Sequence, residues 1–367
     1  MGQIQANTLT HMYCDAVIVG GGPAGAVAAR ELSLCGKQVV LLDASQTTRQ
    51  KIGESLPGAA RPMLDKLGLL PWVENAASLT NKGNLSSWGD DKLRETDFIR
   101  DPYGCGWHLD RQHFEQNLRN AAVDSGAFLL RERLSSLIEN DEGIHIQAGE
   151  FNISTPWMIN ACGTSQFVAS QLGAVRQKDA PLFAIYTWCE SDSPDSRSTV
   201  EAAPSGWWYT AGLPDGKRVV AFFTLAQQAK ALLRNKNHFI SALKETTYIS
   251  RHGVGEKIIA EPLHITEATA SYLKKAVSEH WIAVGDAAVS FDPLSSQGIY
   301  NAIYTGLRGA EAVNTALNTN DHSLLSQYNE RIKSIRDAYR REVSQYYRQE
   351  QRWSRHRFWQ IHQADRE

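Results

Sequence analysis

The sequence predicts an α/β fold in which a dinucleotide-binding domain of the Rossmann type is interleaved with an antiparallel-sheet domain and followed by a C-terminal helical tail. Three observations support this prediction. A glycine-rich βαβ pattern lies near the N-terminus, a second apolar strand ends in Gly-Asp at 285–286, and strand patterns typical of antiparallel pairing lie between them at 183–224. Because the two glycine-bearing segments are far apart in the chain, we expect the antiparallel domain to be inserted between parts of the first domain.

The first glycine-rich segment has the residue types of a dinucleotide-binding turn. Gly20 permits a tight turn, Gly22 lets the backbone approach a pyrophosphate, and Gly25 lets the helix pack close to the sheet. Asp43 follows the second strand, where a carboxylate accepts hydrogen bonds from a ribose hydroxyl, and Ala24 lies within the same cofactor-binding turn. The predicted elements are a strand at 16–19, a helix at 26–34 and a strand at 38–42. The motif by itself fits FAD and NAD equally.

The second glycine-bearing segment distinguishes the two cofactors. An apolar strand at 282–284 ends in Gly285 and Asp286, and a Pro-containing loop then opens a helix expected over 300–318. This arrangement resembles the flavoproteins of the p-hydroxybenzoate hydroxylase fold, and the resemblance implies FAD, with the aspartate on the ribityl chain. The physics agrees, because a strand-end carboxylate suits a polyol and the amides of 296–299 at a helix start stabilise negative charge on a flavin ring. An aspartate that only caps the helix is the alternative.

Composition argues against several other classes of protein. The net charge of −2 disfavours a nucleic-acid-binding surface, and no apolar run is long enough to span a membrane. The five cysteines are scattered without a Cys-x-x-Cys pair, so we expect neither a disulfide framework nor a metal site. Residues 1–12 are polar and lack the apolar core of a signal peptide, and we therefore expect a cytoplasmic protein.

The two domains are expected to alternate along the chain. The FAD-binding domain is assigned to residues 13–75, 101–175 and 272–320, the substrate domain to 76–100 and 176–271, and the C-terminal helical segment to 321–367. Further helices are predicted at 61–70 and 112–125. Further strands are predicted at 83–88, 96–100, 127–130, 134–138, 144–148, 157–160, 183–189, 206–210 and 219–224. The substrate domain therefore takes its strands from two separate stretches.

Three more segments narrow the resemblance, at 51–57, 104–111 and 292–298. They are similar to the branch of this fold that contains the flavin-dependent tryptophan halogenases. Within that branch the chain most resembles the flavoproteins that mature cysteine tryptophylquinone in oxidases of the lysine and glycine oxidase type. The resemblance implies further FAD contacts from Lys51, Glu54, Ser55, Arg111, Pro293, Gln297, Gly298 and Ile299. A structural hydrogen bond explains Glu54 equally well.

The resemblance also implies a function. Reduced FAD and O2 would hydroxylate a tryptophan side chain in the precursor protein of a quinone-containing oxidase. One alternative is a halogenase or hydroxylase of free indole or phenol, and a second is an FAD-holding scaffold that assists maturation without oxygen chemistry. Reducing equivalents would come from NAD(P)H or from a separate flavin reductase, because Cys162 replaces the acid of the Asp-Gly motif of aromatic hydroxylases and no second nucleotide-binding glycine motif is present.

Two departures from the halogenase pattern favour hydroxylation. The halogenase loop carries a glutamate where this chain has Ser295, and a serine cannot act as a general base as a carboxylate can. The Trp-x-Trp-x-Ile-Pro signature of halogenases is broken at 206–214. The catalytic lysine of halogenases would correspond to Lys82, for which a solvated loop position is the alternative. Ser296 completes the candidate catalytic loop.

Candidate substrate-side residues lie in two other places. His108 and Asp110 precede a predicted helix and could transfer a proton, although a packed histidine beside a capping aspartate explains them equally well. Trp207, Trp208 and Tyr209 lie where an aromatic substrate wall is expected. Ordinary packing of these side chains within a sheet is the alternative.

The C-terminal segment is rich in basic and aromatic residues. From residue 331 to residue 367 it has ten Lys or Arg against five Asp or Glu. Such a segment can pack along its own domain with its arginines solvated. Alternatively, residues 348–359 form part of a surface that receives the protein substrate, because arginine and aromatic side chains are enriched at protein interfaces.

Overall fold

The computed structural model describes residues 10–45, 51–74, 78–258, 261–319 and 321–364. The proposed domain boundaries at 75/76 and 320, and residues 1–9 of the segment examined for a signal peptide, lie outside the described residues. In chain order the strands are β1 (Thr10–Tyr13), β2 (Ala16–Val19), β3 (Val39–Leu42), β4 (Ser55–Leu56), β5 (Ser78–Asn81), β6 (Gly83–Ser87), β7 (Arg94–Asp97), β8 (Gly106–Leu109), β9 (Phe128–Leu130), β10 (Leu134–Asn140), β11 (Gly143–Ala148), β12 (Phe151–Thr155), β13 (Trp157–Asn160), β14 (Arg176–Lys178), β15 (Phe183–Glu190), β16 (Ser198–Ala203), β17 (Gly206–Gly212), β18 (Lys217–Thr224), β19 (His264–Glu267), β20 (Ser271–Leu273), β21 (Trp281–Ala283) and β22 (Val289–Ser290). The helices are α1 (Pro23–Leu34), α2 (Arg61–Lys66), α3 (Leu70–Glu74), α4 (Arg111–Asp124), α5 (Phe167–Gln171), α6 (Ala226–Arg234), α7 (Lys236–Lys244), α8 (Val254–Lys257), α9 (Gly298–Thr319), α10 (Ser323–Gln349) and α11 (Arg357–Gln363).

The N-terminal glycine motif follows the central strand of a five-stranded parallel sheet with the order β21-β13-β2-β3-β9. Strands β2, β3 and β13 are buried along their whole length, as is typical of a parallel sheet covered on both faces. A Cβ atom on Gly25 would lie 1.9 Å from the carbonyl oxygen of Gly20, and one on Gly306 would lie 2.3 Å from that of Ala24. Glycine at these two positions therefore permits the close packing of α1 against the turn and against α9. The predicted Rossmann-type α/β domain is confirmed.

A seven-stranded sheet with the order β19-β15-β18-β17-β16-β6-β7 forms a second layer. Its neighbouring strands are antiparallel except for β16 and β6, which are parallel. Side chains alternate between its two faces. Trp208 packs against Phe239 of α7 on one face, whereas Trp207 and Phe223 stack on the other. The two tryptophans therefore belong to different cores of the protein.

The C-terminal helices pack on the seven-stranded sheet. Trp359 is fully buried, and its indole N–H donates to the carbonyl of Ala203 over 3.0 Å. Trp88 packs edge-on against Trp359 and donates its indole N–H to the carbonyl of Tyr346 over 2.8 Å. Phe358 is buried in the same cluster. The aromatic part of this segment thus packs on its own domain, which was the first of the two interpretations left open by the sequence.

Several predicted elements have different bounds in the structure. The helix predicted at 61–70 is divided into α2 and α3, because Gly68 adopts a left-handed φ of 63° that ends the first helix. The strand predicted at 96–100 ends at Asp97, whose side chain instead accepts a hydrogen bond from the backbone of the short 3-10 turn that follows. Two helices begin earlier than predicted, α1 at Pro23 and α9 at Gly298.

Candidate functional site

A cavity of about 680 Å³ lies between the parallel sheet and the seven-stranded sheet. One wall consists of the glycine turn after β2, the segment 51–55 and the loop 292–299. The opposite wall is one face of the seven-stranded sheet, to which every strand contributes. From one edge of that sheet to the other the lining residues include Thr266, Ala184, Phe223, Trp207, Val200, Asn84 and Thr96. Trp207 and Phe223 at the centre are buried, whereas Asn84 and Thr96 are exposed at the β7 edge and Glu267 is exposed at the β19 edge, so the cavity is open at the edges of the sheet.

The glycine turn leaves space for a ligand. Gly22 has an ordinary φ of −73°, and a Cβ atom on it would meet no protein atom within 4 Å. Neither backbone strain nor a neighbouring protein atom therefore requires glycine here. Glycine is expected at this position if the pyrophosphate of the ligand approaches the backbone closely. Asp43 lies beside this turn, where one carboxylate oxygen accepts from the N–H of Ser45 over 3.1 Å. Its buried Oδ2 lies 3.7 Å from Arg119 and 3.8 Å from Arg131, but it accepts no hydrogen bond from a described residue and is available to a ribose hydroxyl.

Arg111 and Lys51 are held at the cavity by one buried carboxylate. Glu115, one helical turn after Arg111, accepts hydrogen bonds from Arg111 over 2.5 Å and from Lys51 over 2.6 Å. Burial opposes ionisation of Glu115, but the two cations outweigh it and lower the pKa of its carboxyl. Arg111 also donates to the carbonyl of Gly53 over 2.5 Å. The guanidinium is thus fixed between α4 and the segment 51–55, where it can bind a cofactor phosphate or ribityl oxygen.

Asp286 projects into the cavity from the end of β21. Gly285 before it has a left-handed φ of 57°, and a Cβ atom there would lie 2.8 Å from the Cβ atom of Ala24. Arg176 donates to the backbone carbonyl of Asp286 over 3.1 Å and to that of Ala287, which fixes the turn. Burial raises the pKa of the Asp286 carboxyl to about 6 against the opposing effect of Arg111 and Arg176. Hydroxyl donors from a ribityl chain would stabilise its charged form.

The loop at 292–299 is held by the C-terminal segment. Asp292 is buried, and its carboxylate accepts a hydrogen bond from the Tyr347 hydroxyl over 2.8 Å. Its backbone N–H donates to the Tyr339 hydroxyl over 2.7 Å. Ser295 donates its hydroxyl to the carbonyl of Asp292 over 2.9 Å, so that hydroxyl closes the turn. Ser296 adopts a left-handed φ of 51° immediately before the N-terminus of α9 reaches the cavity.

The aromatic wall consists of two of the three predicted residues. Trp207 stacks on Phe223 with ring centroids 3.9 Å apart and donates its indole N–H to Tyr347 over 3.1 Å. Tyr209 donates its hydroxyl to Glu54 over 2.6 Å. The assignment of Trp208 to the substrate wall is wrong, because strand alternation directs its side chain to the opposite face of the sheet.

Glu54 and Tyr209 form a buried pair in the cavity wall. Burial raises the pKa of the Glu54 carboxyl, although the hydrogen bond from Tyr209 works in the opposite direction. Burial and the adjacent Glu54 also raise the pKa of the Tyr209 phenol. Each group therefore favours its neutral form more than it would in water, and the pair can retain or exchange a proton at the cavity surface. The structural hydrogen bond that the sequence left open for Glu54 is present.

His108 lies behind the wall. Its side chain is fully buried, and its Nε2 is 3.0 Å from the hydroxyl of Ser198, which lines the cavity. Burial, together with the Arg218 guanidinium, lowers the pKa of His108 to about 3, so the imidazole is neutral. Asp110 caps α4 by accepting from the backbone N–H groups of Gln112 and His113. The packed histidine and the capping aspartate expected as the alternative are what the structure contains.

The structure brings most of the sequence-predicted site residues together. The cavity is lined by Gly20, Gly22, Ala24, Asp43, Lys51, Glu54, Ser55, Arg111, Trp207, Tyr209, Asp286, Pro293, Ser295, Ser296, Gln297, Gly298 and Ile299. Gly25 and Gly285 act behind it through close packing. Lys82 is exposed in the turn between β5 and β6 and does not line the cavity, as its solvated-loop interpretation predicts.

Several residues that shape the site were not predicted from the sequence. Glu115 could have been found, because it lies four positions after Arg111 on a helix and has the opposite charge. Arg176, Ser198 and Tyr347 approach the site from distant parts of the chain, and no local pattern marks them. Within the described residues no cluster of His, Cys, Asp or Glu could hold a metal ion. No helix there combines the length and apolar character needed to cross a bilayer.

Comparison with known proteins gives matches along nearly the whole chain. The tryptophan halogenase family matches residues 93–367, and the FAD binding domain family matches residues 15–60. The chain is 28% identical over 362 residues to a protein assigned as an FAD-dependent oxidoreductase, LodB of Marinomonas mediterranea, with coverage of 95% of this chain and 97% of that protein.

Solved structures give the same architecture. The myxobacterial chondrochloren halogenase CndH superposes with a TM-score of 0.84 at 21% identity, covering 96% of this chain and 86% of that one. The peptidyl tryptophan dihydroxylase QhpG, essential for tryptophylquinone cofactor biogenesis, superposes with a TM-score of 0.79 at 22% identity, covering 96% of this chain and 79% of that one. At these identities the likeness demonstrates a shared fold. The open glycine turn, the Asp43 oxygen that accepts no hydrogen bond from a described residue, and Asp286 fit the dinucleotide, and the protein binds FAD.

Proposed function

The chain belongs to the tryptophan halogenase family, and from that premise we propose that it hydroxylates the side chain of a tryptophan in a precursor protein during biogenesis of a quinone cofactor. It is an FAD-dependent oxidoreductase of the flavin halogenase type. The shared fold supports two reactions, hydroxylation and halogenation. Hydroxylation and halogenation both need an electron-rich ring close to reduced flavin, so the residues beside that ring have to discriminate between them.

One observation carries the proposal: no lysine is present among the described residues that line the substrate side of the cavity. The only lysine among its described lining residues is Lys51, which is bound to Glu115 at the cofactor end. Lys82, the counterpart expected for the halogenase lysine, is exposed outside the cavity. The loop position of the halogenase glutamate is Ser295, whose hydroxyl is used within its own turn. Without an ammonium and a carboxylate at these positions, the cavity lacks the groups that would direct a halogenating species.

One structural relative supports a substrate that is part of a polypeptide. QhpG, which shares the fold, is described as a peptidyl tryptophan dihydroxylase essential for tryptophylquinone cofactor biogenesis. The open end of the cavity at Asn84 and Thr96 is compatible with a side chain that remains attached to a protein. A free amino acid would need no such opening once bound.

The chemistry divides between cofactor and protein. Reduced FAD supplies the two electrons that activate O2. One oxygen atom enters the indole ring as a hydroxyl group, the ring hydrogen leaves as a proton, and the other oxygen atom takes up two protons and leaves as water. The buried aromatic pair Trp207 and Phe223 excludes water and provides an apolar face for the ring. At the same wall Glu54 can accept the ring proton when it is a carboxylate, with Tyr209 donating a hydrogen bond to it, and the neutral His108 holds Ser198 beside them.

The test is oxygen incorporation. The purified protein is reduced by a flavin reductase with NADH, or by NADH or NADPH alone, and mixed with ¹⁸O₂ and a tryptophan-containing precursor of a quinone oxidase. We expect the target peptide to gain ¹⁸O, with chloride and bromide present and without halogenated product. Free tryptophan serves as the comparison substrate. A halogenated indole formed at the rate of flavin reoxidation would refute the proposal, as would a precursor that gains no label while flavin is reoxidised.

A further inference from the structure

A chain of two hydrogen bonds joins the aromatic wall to the loop at 292–299. Trp207 in the wall donates its indole N–H to the Tyr347 hydroxyl over 3.1 Å, and that hydroxyl donates to the Asp292 carboxylate over 2.8 Å. All three side chains are buried. Trp207 and Asp292 line the cavity on opposite walls, and Tyr347 bridges them from α10. The substrate wall and the loop on the FAD side are therefore connected through one hydroxyl group.

The direction of this chain is fixed by its two ends. An indole N–H can only donate a hydrogen bond, and a carboxylate can only accept one. The Tyr347 hydroxyl therefore serves both neighbours in a single arrangement, accepting from Trp207 and donating to Asp292. Burial and the adjacent Asp292 raise the pKa of the Tyr347 phenol well above its ordinary value, so the hydroxyl keeps the proton that it donates. In such a chain each hydrogen bond polarises the next, and removing one weakens the other.

Asp292 in turn shapes the loop. Its Oδ1 accepts from the backbone N–H of Leu294 over 2.9 Å, and its carbonyl accepts from the Ser295 hydroxyl over 2.9 Å. Its Oδ2 is the oxygen that Tyr347 binds. The turn capped in this way ends at Ser296, whose left-handed φ of 51° brings the chain to the N-terminus of α9 at the cavity. A change at the Asp292 carboxylate is therefore transmitted to the backbone that presents the first amides of α9.

The ring of Tyr347 is enclosed by other rings. Trp88, Phe358 and His362 pack against it with centroids 5.8, 6.3 and 4.9 Å away. A phenylalanine at this position would keep those contacts, because it differs from tyrosine only by the hydroxyl. The contribution of the hydrogen-bond chain can therefore be separated from the contribution of packing.

We propose that Tyr347 is a positioning residue that couples the aromatic wall to the loop at 292–299, so that a ring bound against the wall strengthens the hold of the loop on FAD. A ring packed on Trp207 restricts the direction of its indole N–H. The restricted N–H strengthens the hydrogen bond from Tyr347 to Asp292, and the loop is stabilised in turn. This inference rests on the proposed function for the identity of the bound ring, whereas the hydrogen-bond chain is present whatever the reaction.

The first experiment is a double-mutant cycle on FAD affinity. Trp207→Phe removes the indole N–H and keeps an aromatic ring, and Tyr347→Phe removes the hydroxyl and keeps the packed ring. The FAD-loaded proteins are diluted, and the Kd of FAD is measured from the recovery of flavin fluorescence for wild type, both single variants and the double variant. We expect Trp207→Phe to weaken FAD binding at least about threefold more in the wild-type background than in the Tyr347→Phe background, as for residues coupled in one hydrogen-bond network.

Tyr328 provides the matched control. It is buried on the same helix, and its hydroxyl donates to the carbonyl of Ala283 over 2.7 Å. Tyr328→Phe should therefore combine additively with Trp207→Phe. If Tyr347→Phe does not fold, Asp292→Ser cuts the same link from its other end, because serine still caps the turn but its shorter side chain withdraws the oxygen from Tyr347.

A second measurement follows the effect of a bound ring. Indole is the probe, and the Kd of FAD is measured with and without saturating indole. Indole should tighten FAD binding to the wild type, and by linkage FAD should tighten indole binding by the same factor. We expect that factor to be smaller in Tyr347→Phe and unchanged in Tyr328→Phe. A tyrosine that served only to stabilise the fold would lower the urea midpoint without changing this factor.

The outcomes separate the coupling from the reaction. Additive losses in the cycle of Trp207 and Tyr347, equal non-additivity with Tyr328→Phe, or an indole effect that is absent in the wild type or unchanged in Tyr347→Phe would overturn the role of Tyr347. Coupled FAD affinities in a protein that incorporates no oxygen into a precursor would retain that role and refute the proposed function. Additive affinities in a protein that hydroxylates its precursor would do the reverse.

Discussion

Replacing Asp286 with asparagine should strengthen the apoprotein and weaken its hold on FAD. The carboxyl lies at the strand end in the cavity wall, and its burial raises its pKa from 3.8 to about 6. Asparagine has nearly the same shape, keeps a carbonyl oxygen and carries no charge. The substitution therefore removes the cost of holding a carboxylate in a partly desolvated position.

The magnitude follows from the difference in pKa. A rise from 3.8 to about 6 corresponds to roughly 3 kcal/mol when the group is fully ionised, at 1.36 kcal/mol per pKa unit. Because the side chain faces the cavity and is only half-buried, solvent screening reduces the expected effect to about 1–2 kcal/mol. The folded state holds the proton more tightly than the unfolded chain does, so wild-type stability is lost as pH rises from about 4 to about 6.

The assay has two parts. Urea denaturation of the apoprotein, followed by tryptophan fluorescence, should give Asp286→Asn a higher midpoint than wild type at pH 8 and nearly the same midpoint at pH 4. Titration with FAD at pH 8 should show affinity reduced roughly tenfold to a hundredfold, as for loss of a hydrogen bond to a charged acceptor. A variant less stable than wild type at pH 8, or a difference that does not change with pH, would refute the reasoning.

Three further outcomes are expected. Gly22→Val should leave the urea midpoint of the apoprotein nearly unchanged, since its side chain enters open space, but should abolish FAD retention as measured by flavin absorbance; a variant that retains full absorbance would contradict the assignment of the glycine turn. Trp208→Ala should cost about 3–5 kcal/mol of stability with little change in the KM for the precursor, whereas Trp207→Ala should lower product formation per bound flavin; equal effects would mean that the two faces of β17 do not divide as described. Turnover with tryptophan and bromide should give no brominated product by mass spectrometry, and introducing Ser295→Glu alone should not create it, because the lysine is still missing; bromination by either protein would show that the missing groups are not decisive.

The site residues were predicted best where a short segment of sequence determines its own local structure. The turn at Gly20 and Gly22, the acid at Asp43 and the strand-end Asp286 all line the cavity, because each follows directly after a parallel strand, and Arg176 additionally holds the turn at Asp286. The prediction for Trp208 failed because three consecutive aromatic residues on a strand cannot all face one side. Lys82 illustrates the same limit. Its sequence position resembles that of the halogenase lysine, but this resemblance does not establish that its side chain reaches the cavity.

The sequence by itself determined the Rossmann-type domain, the FAD turn and the positions of the main strands along the chain, because apolar periodicity and glycine positions act over a few consecutive residues. Only the tertiary structure decided which side chains meet across long separations. Tyr347 on α10 binds Asp292 in the cofactor loop, Glu54 binds Tyr209, and β7 becomes an edge beside the cavity mouth. These contacts depend on how the two sheets and the C-terminal helices pack against one another, and the free energy of that packing is a property of the whole core that no local pattern of residues contains.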